Sequence, residues 1–508
     1  MSNTLPRTTG RHWKPGAVLA LAAAAAIAAG LILSPATPLQ AQTGVSAPGS
    51  LAREPRPEPS NLSDFVANKT LAIALGKTLF WEQRVDNDGK TACASCHFHA
   101  GADTRAKNQL SPGPNGLNTP GSFTFGKPNY TFTEADFPFH QFADPANRDS
   151  AVVRSVRMVS SSQGAFNEKF GSVTAGQAAD ARSVVPDAVF NVGGINTRRV
   201  EPRNSPTVIN AVFNLRNFWD GRAQTLFNGV NPWGKRDPNA RVYRSTLPWN
   251  PLNLPNLAFK TEVTLNDSSL ASQASGPPLS GLEMSADGRG FPDLGRKMLA
   301  MRPLAQQAVA VDDSVLGSYR HSSGLGLTQA SYAALIRSAF RPEWWNANLA
   351  VSIGGKSYTQ IEANFSLFFA LSIQLYEATL VSDQAPYDKY AEGQTAALDA
   401  QQQLGFGLFM SKGKCVNCHG GAAFTNAAIR RQLVGTKRMS RMIVGDGGQA
   451  VYDEGFYNIS VTPTGDDIGV GGKDPWGRPL SFSRLAQLNF GLDFWALEKD
   501  LPNETVTA

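Results

Sequence analysis

The stretch "TACASCHFHAGAD", residues 91–103, contains two cysteines and two histidines within seven consecutive positions. The Cys-x-x-Cys-His spacing occurs again in "CVNCH", residues 415–419, and the two motifs hold all four cysteines of the chain. Such a motif can bind zinc, work as a redox thiol pair or attach a haem covalently. Zinc needs four ligands, of which one motif supplies three, and a redox pair needs neither the histidine nor a second copy. The pattern therefore favours a covalent haem at each motif.

In a c-type haem site both cysteines are bonded to one haem, and the histidine that follows them binds the iron. We expect a short helical turn to point both sulfur atoms at the haem and to place the histidine beneath it. The predicted cofactors are thus two covalently bound haem c groups. The attachment residues are Cys93 and Cys96 for haem 1 and Cys415 and Cys418 for haem 2, with His97 and His419 as iron ligands.

The N-terminus has the features of an export signal. Three basic residues precede an apolar run at 17–33, and small residues follow it up to Ala41. The pattern predicts a cleaved signal peptide at residues 1–41, although the run is nearly long enough to remain as a membrane anchor. Export would place the protein in the periplasm, an oxidising compartment.

The charge of the chain argues against a nucleic-acid partner. Loss of residues 1–41 would lower the formal net charge from +6 to +3. A mildly basic chain without a Lys/Arg block or a nucleic-acid-binding motif is not expected to bind nucleic acid.

Helical periodicity dominates the remaining sequence. A Pro-rich linker at 42–60 comes first, and Gly- and Pro-rich stretches at 101–200 and 228–280 are interpreted as long ordered loops. Apolar residues at three- and four-residue spacing predict helices at 63–82, 291–309, 328–340, 358–380 and 395–410. The segment 205–227 looks helical at first, with a turn at Asp220-Gly221. We therefore predict a mainly α protein with two c-type cytochrome-like haem domains and long ordered loops.

Further motifs occur in a fixed order along the chain. They are "GKTLFWEQRVDNDGKTACASCH" (76–97), "PRNSPTVINAVFNLRNFWDGRAQTL" (202–226), "PLSGLEMS" (278–285), "ANFSLFFALSIQLYEATLVSDQAPYDKYAEGQ" (363–394), "GFGLFMSKGKCVNCHGGAAFTN" (405–426) and "GFYNISVTPTGDDIGVG" (455–471). In this order they resemble the bacterial di-haem cytochrome c peroxidases and their MauG-like relatives. The resemblance implies an N-terminal peroxidatic haem domain at 61–345 and a C-terminal electron-transfer haem domain at 346–508.

The resemblance also implies roles for individual residues. His97 would bind the peroxidatic haem and His419 the electron-transfer haem. Glu283, in "LEM", would move protons on the distal side of the first haem; without the resemblance, a position on a solvated helix face would be the better interpretation. Trp219, in "NFWDGR", would relay electrons between the haems, and a buried core aromatic is its simpler role.

Two residues of the 202–226 block carry further expectations. Asn204, in "PRNSPT", would bind an interdomain calcium ion through oxygen, with a plain turn residue as the alternative. Arg222 would pair with a haem propionate or with Asp220.

The sequence departs from the family near the first haem. Many members have a distal histidine shortly after the first motif, but His99 follows His97 too closely to reach the opposite face of the same haem, and residues 100–139 contain no histidine. His140 is the nearest remaining candidate, although a loop or core position is the simpler interpretation. We therefore predict that the first haem is five-coordinate and that His99 contacts a haem edge or the second domain.

Two further departures concern the distal network and the second haem. Gly229 stands where the family often has glutamine, and Asn228 could replace that glutamine imperfectly. The closing segment that supplies the second haem's sixth ligand in the family is not recognised, so we expect the C-terminal domain to be incomplete or the ligand to come from elsewhere. Met439 and Met442 are candidates for that ligand, with packing as the simpler role.

The implied function is that of a periplasmic di-haem c-type peroxidase, an oxidoreductase of the cytochrome-c peroxidase type. It would reduce hydrogen peroxide with electrons from a small redox protein, a cytochrome c or a cupredoxin, and a homodimer is compatible with this activity. One alternative is a MauG-like oxidase of a protein or organic substrate. The other is a di-haem electron-transfer cytochrome without catalysis.

Overall fold

The computed structural model describes residues 46–101, 103–147, 149–431, 438–443, 449–459 and 462–487. The predicted signal peptide at 1–41 lies outside the described residues, and so do the side chains of His99 and Met442. None of the described helices combines the length and apolar character needed to cross a membrane.

Ten α-helices are present in the described part of the chain. They are α1 (Lys69–Trp81), α2 (Cys93–Cys96), α3 (Ser269–Ala274), α4 (Phe291–Met298), α5 (Tyr332–Ala339), α6 (Gln360–Ala363), α7 (Phe365–Glu377), α8 (Pro386–Ala391), α9 (Ala400–Met410) and α10 (Phe482–Gln487). The helix predicted at 291–309 ends after its first half, because Pro303 cannot continue a helix and Leu304 has a positive φ of 50°.

The prediction of a mainly α fold is wrong: the structure is 28% helical and 15% strand, with many small sheets. Within the described residues the strands form seven two-stranded antiparallel sheets. These are β1 (Leu110–Ser111) with β4 (Val159–Ser160), β2 (His140–Phe142) with β3 (Val152–Ser155), β5 (Glu168–Ser172) with β6 (Ala181–Val184), β7 (Asn191–Val192) with β8 (Ile195–Asn196), β9 (Val242–Ser245) with β10 (Ala258–Thr261), β11 (Val351–Ile353) with β12 (Lys356–Tyr358), and β13 (Met439–Ile443) with β14 (Gln449–Asp453).

The physical reason for this error is visible at two tight turns. The hairpins β7–β8 and β11–β12 are each closed by a Gly-Gly pair, residues 193–194 and 354–355, in which both glycines have positive φ. Two residues with positive φ give the turn whose twist matches that of the flanking strands, and Gly-Gly adopts it without a side-chain clash. The first Gly-Gly pair lies in the 101–200 stretch that was interpreted as a loop, and the second lies just before the helix predicted at 358–380, where no element was predicted.

The main core lies where α1 crosses α7. Every residue of α7 is buried, as expected for a helix that is apolar on all sides. The two helices approach so closely at Gly76 that a Cβ atom there would lie 1.9 Å from the backbone oxygen of Ser372. The boundary predicted at 345/346 stays a prediction.

The segment 205–227 is not a helix, contrary to its apolar spacing. Asn210, Phe218 and Gly221 all have positive φ near 63°, a conformation that cannot be part of a right-handed helix. A single 3-10 turn at Ala211–Phe213 is the regular element of this stretch. Asn217 and Ala223 exchange backbone hydrogen bonds and close a loop with Trp219 near its tip. This irregular backbone provides several walls of the site described next.

Candidate functional site

The first Cys-x-x-Cys-His motif forms one wall of a cavity. Its cysteines begin and end α2, the single helical turn expected from their spacing, and the amide of His97 donates to the carbonyl of Cys93 at 3.0 Å. Cys93, Cys96 and His97 all line a cavity of about 270 Å³. The ring of Phe80, from α1, lies 6.2 Å from the His97 ring, centroid to centroid.

The orientation of the His97 ring suits an iron ligand. Its Nδ1 lies 2.8 Å from the carbonyl oxygen of Pro206, to which it donates as Nδ1–H. Hydrogen bonds of Val208 N and Thr207 Oγ1 to the carbonyl of Ala100 hold the Pro206 segment beside the motif. Burial lowers the pKa of His97, which favours the neutral ring. The lone pair of Nε2 is then the one offered to a metal.

Glu283 lines the same cavity as His97, on the loop that follows the 3-10 turn at Pro277–Leu279. Burial raises the pKa of its carboxyl group, and the charge of Arg222 and a hydrogen bond with Ser280 act in the opposite direction. A carboxyl group with a raised pKa can accept and return a proton near neutral pH. The structure therefore brings Glu283 together with the residues predicted to bind the first haem, and its catalytic role stays a prediction.

Among the polar residues of this cavity that were missed from the sequence, three have carboxyl or carboxamide side chains. Glu201, Gln273 and Glu377 all contribute to its lining. Burial raises the pKa of Glu377 to about 8. Glu201 directly precedes the "PRNSPT" motif, and Glu377 lies in the apolar 363–394 block. An acidic residue inside or beside a family motif could therefore have identified both as candidates for the site. Gln273 lies near the end of a short helix and gave no such signal.

Trp219 lies between this cavity and a second, larger one. Its ring is 55% exposed, and its Nε1–H donates to the carbonyl of Asn204 at 2.7 Å. It lines the first cavity and also a neighbouring one of about 770 Å³, whose walls include Thr425, Ala427 and Tyr457. These last residues follow the second haem motif in sequence. Trp219 is not buried in a core, and its position between the cavities is compatible with the predicted relay.

Two other predicted residues have polar partners in the described structure. Arg222 pairs with Asp220 at 2.8 Å, one of its two expected partners, and its guanidinium lies 3.8 Å from the centre of the Phe218 ring. Asn204 is exposed, and its side-chain amide donates to the carbonyl of Ser160 at 2.9 Å. No group of three or more histidine, cysteine, aspartate or glutamate side chains in the described part of the chain is placed to hold a metal ion. Calcium binding by Asn204 stays a prediction.

The second motif has a similar local geometry but a more open setting. The Nδ1 atom of His419 lies 3.1 Å from the carbonyl oxygen of Phe424, so its Nε2 is again the atom offered to iron. Cys415, Cys418 and His419 are exposed, and α9, which precedes them, has no buried residue. The donor atoms fit a second covalent haem, and the roles of these residues stay predictions.

The remaining candidates lie away from the first cavity. His140 is exposed on β2, with its Nδ1 3.2 Å from the hydroxyl of Ser155. Asn228 is engaged in its own turn, where its side chain bonds Gly234 and the amide of Val230. Met439 begins β13 opposite Asp453. Among the described side chains that line the first cavity, His97 is the one histidine. The five-coordinate first haem stays a prediction.

Comparison with known proteins places the chain in a family. The family described as "Di-haem cytochrome c peroxidase" matches residues 70–396, more than half of the chain. Cytochrome c551 peroxidase of Pseudomonas aeruginosa is 27% identical over 268 residues, which are 52% of this chain and 44% of that protein. Cytochrome c peroxidase Ccp of Escherichia coli is 25% identical over 240 residues, 46% of this chain and 31% of that protein.

A third relative is the methylamine utilization protein MauG of Methylorubrum extorquens, 35% identical over 95 residues, 19% of this chain and 22% of that protein. The chain thus spans less than half the length of each of these curated relatives. Membership of a di-haem cytochrome family implies haem c as the cofactor, and the cavity beside Cys93, Cys96 and His97 provides the attachment atoms and an available imidazole nitrogen. The chain belongs to the di-haem cytochrome c peroxidase family.

Proposed function

We propose that the chain is a periplasmic di-haem c-type peroxidase that reduces hydrogen peroxide with electrons from a small redox protein. The observation that carries the proposal is the presence of Glu283 and His97 in one cavity, with both cysteines of the first motif in its wall. A proton-transferring carboxyl group facing the space beside an iron ligand is the arrangement that peroxide cleavage requires. The names of the two peroxidase relatives agree with this activity.

The haem, when bound, supplies the one-electron redox chemistry and the site at which peroxide coordinates. His97 would hold the iron through Nε2, and its hydrogen bond to the carbonyl of Pro206 orients the imidazole ring. Glu283 accepts a proton from one peroxide oxygen and returns it to the other, so that the departing oxygen leaves as water instead of hydroxide. Arg222, whose charge lowers the pKa of Glu283, favours the ionised form that accepts this proton.

Electrons would reach the first haem through the space between the two cavities. Trp219 lies there, and its bond to Asn204 holds the indole in place. We propose Trp219 as the relay and the His419 haem as the entry point for electrons. The exposure of Cys415, Cys418 and His419 gives a donor such as a cytochrome c or a cupredoxin access to the second site.

Three further parts of the proposal rest on the sequence and the resemblance. The N-terminal pattern supports export to the periplasm. The motif around Asn204 supports an interdomain calcium ion, and the resemblance is compatible with a homodimer. Fractionation of cells expressing the full chain, calcium titration of the purified protein and its sedimentation velocity test these parts separately.

The decisive experiment mixes the ferric di-haem protein with hydrogen peroxide in a stopped-flow spectrometer. We expect a high-spin ferric signal before mixing and a rapid spectral change after it. The Glu283→Gln variant should keep the high-spin signal and lose most of the rate, whereas the His140→Gln variant, altered at an exposed histidine, should behave as wild type. Two low-spin haems with no response to peroxide would instead support a non-catalytic electron-transfer cytochrome.

One observation favours a second candidate, an oxidase of a protein or organic substrate. The first cavity has no second histidine among its described side chains, and MauG is among the relatives. An iron with a coordination position available to peroxide in the ferric state would suit a peroxidase and an oxidase equally. Peroxide-dependent turnover with reduced cytochrome c would support the peroxidase, and its absence despite a rapid reaction with peroxide would support the oxidase.

A further inference from the structure

Glu201 and Glu283 are attached to the same short segment of backbone. The amide of Glu201 donates to the carbonyl of Ser162 at 3.0 Å, and the amide of Ala165 donates to the carbonyl of Leu282 at 3.1 Å. The segment 162–165 is therefore hydrogen-bonded both to the backbone of Glu201 and to the loop that carries Glu283. The two residues are 82 positions apart in sequence, and this segment brings both of them to the wall of one cavity.

Gly164 makes this close arrangement possible. A Cβ atom at this position would lie 2.0 Å from the carbonyl oxygen of Leu282 and 2.8 Å from the Cα of Glu283. The same segment also contacts the haem attachment site, because the hydroxyl of Ser162 donates to the carbonyl of Cys96 at 3.4 Å. One backbone segment thus fixes Glu201, Glu283 and Cys96 relative to one another.

The carboxyl group of Glu201 has an unusual environment. Its Oε1 atom is buried and has no hydrogen-bond partner within the described part of the chain. The residue lines the same cavity as Glu283 and His97. Leaving a buried polar atom unpaired is unfavourable, so such an atom in a cavity wall indicates a role toward what occupies the cavity. A carboxyl oxygen without a protein partner is available to a water molecule or a ligand in the cavity.

We propose that Glu201 is a second acid of this site, which passes protons from solvent to Glu283. The inference rests on the proposed peroxidase function.

Reduction of one peroxide breaks the O–O bond and consumes two electrons from the donor and two protons from solvent. The two protons of the peroxide leave in the first water, after Glu283 has moved one of them. The second water contains the other oxygen, the two electrons and two new protons, and these protons arrive through Glu201. Glu201 acts through Glu283 and is therefore a positioning residue.

The charges around Glu201 support this order of transfer. Burial raises the pKa of Glu201 well above its ordinary value, the charge of Glu283 raises it further, and Arg222 and Arg203 lower it. The other titratable groups of the cavity are Glu377, His97 and the two cysteines. Burial therefore favours a protonated Glu201, the form that a proton donor to Glu283 must have.

The test measures protonation directly, by infrared difference spectroscopy of the ferric di-haem protein across a pH titration. We expect a carboxylic-acid band that titrates well above the ordinary range of a glutamate, because burial raises the pKa of Glu201, and that disappears in Glu201→Gln. In Glu283→Gln the same band should titrate at lower pH, because the neighbouring charge is removed. The matched control is Glu262→Gln, which alters an exposed carboxylate that pairs with Arg241. This variant should leave the intensity and the titration of the carboxylic-acid band unchanged.

A kinetic measurement tests the transfer itself. Peroxide turnover in Glu201→Gln should fall roughly 10- to 100-fold, at or below the lower end of general acid–base effects, because Glu201 acts through Glu283. Its pH profile should be altered, and Glu201→Asp should recover part of the rate. An unchanged rate and pH profile in Glu201→Gln would overturn the relay, as would a band that is absent in wild type or insensitive to Glu283→Gln. Wild-type protein that does not react with peroxide but shows both infrared effects would overturn the peroxidase function and leave the carboxyl pair intact.

Discussion

The imidazole Nδ1 of His97 lies 2.8 Å from the carbonyl oxygen of Pro206. The two residues are 109 positions apart, and their bond links the first haem motif to the block that also carries Asn204, Trp219 and Arg222. This bond selects the tautomer of His97 that offers Nε2 to iron. A motif that is recognisable in isolation therefore acquires its working geometry from a distant segment.

Covalent haem attachment should divide cleanly between the two motifs. The double variants Cys93→Ala/Cys96→Ala and Cys415→Ala/Cys418→Ala should each carry one haem, because each motif supplies both thioether bonds of its own haem. The mass of the denatured protein gives the haem count directly, with two haems expected for wild type. Retention of two haems in either variant would contradict the assignment.

Loss of Glu283 should abolish the acidic limb of the pH–rate profile. Burial raises the pKa of Glu283, and the ionised form is the one that accepts the peroxide proton, so the wild-type rate should fall as pH decreases through this raised pKa. Glu283→Gln should lower the rate roughly 10²- to 10⁴-fold and remove that limb. Peroxide reduction measured at several pH values decides the question, and a limb that survives in the variant would assign it to another group.

Electron delivery should depend on the ring of Trp219. Trp219→Phe should slow peroxide turnover with a reduced donor, since the indole lies between the two cavities, but should leave the first reaction of the ferric protein with peroxide unchanged. Trp249, whose side chain is 81% exposed and lines neither cavity, provides the control variant Trp249→Phe. Equal turnover in the two variants would remove Trp219 from the electron path.

Glu377 should make the folded protein less stable as pH rises. Its pKa is about 8 in the folded protein against an ordinary value of 4.5, so the folded state holds a proton that the unfolded state releases between these values. Stability should therefore decrease from about pH 4.5 to pH 8, because the unfolded state binds fewer protons over that range. Calorimetry of Glu377→Gln should show a weaker decrease in Tm over the same window, and a decrease as steep as that of wild type would contradict this account.

The crossing of α1 and α7 should not tolerate a side chain at Gly76. A methyl group there would overlap the backbone oxygen of Ser372, at 1.9 Å, so Gly76→Ala should destabilise the fold by about 1–3 kcal/mol. Gly405 is also within a helix, but nothing lies within 4 Å of its Cβ position. Gly405→Ala should therefore be neutral or stabilising by up to about 1 kcal/mol. Thermal unfolding of the two variants gives the comparison.

Local sequence patterns predicted the elements whose formation depends on neighbouring residues. The helices α1, α5, α7 and α9 lie within the predicted segments, because apolar spacing and capping residues such as Asn68 act over one or two turns. The same reasoning failed at 205–227, where the apolar residues serve a loop shaped by three positive φ angles. It also failed at the hairpins, whose Gly-Gly turns were visible but were not interpreted as strand connections.

The sequence by itself determined how this chain would hold haem, because Cys-x-x-Cys-His carries both thioether positions and the iron ligand within five residues. Only the tertiary structure decided what surrounds that haem. Glu201, Glu283 and Pro206 come from separate segments, and they meet at His97 and Cys96 through backbone hydrogen bonds and the close approach at Gly164. The physical reason is that covalent attachment depends on spacing along the chain, whereas proton transfer depends on distance, burial and charge, which only folding brings about.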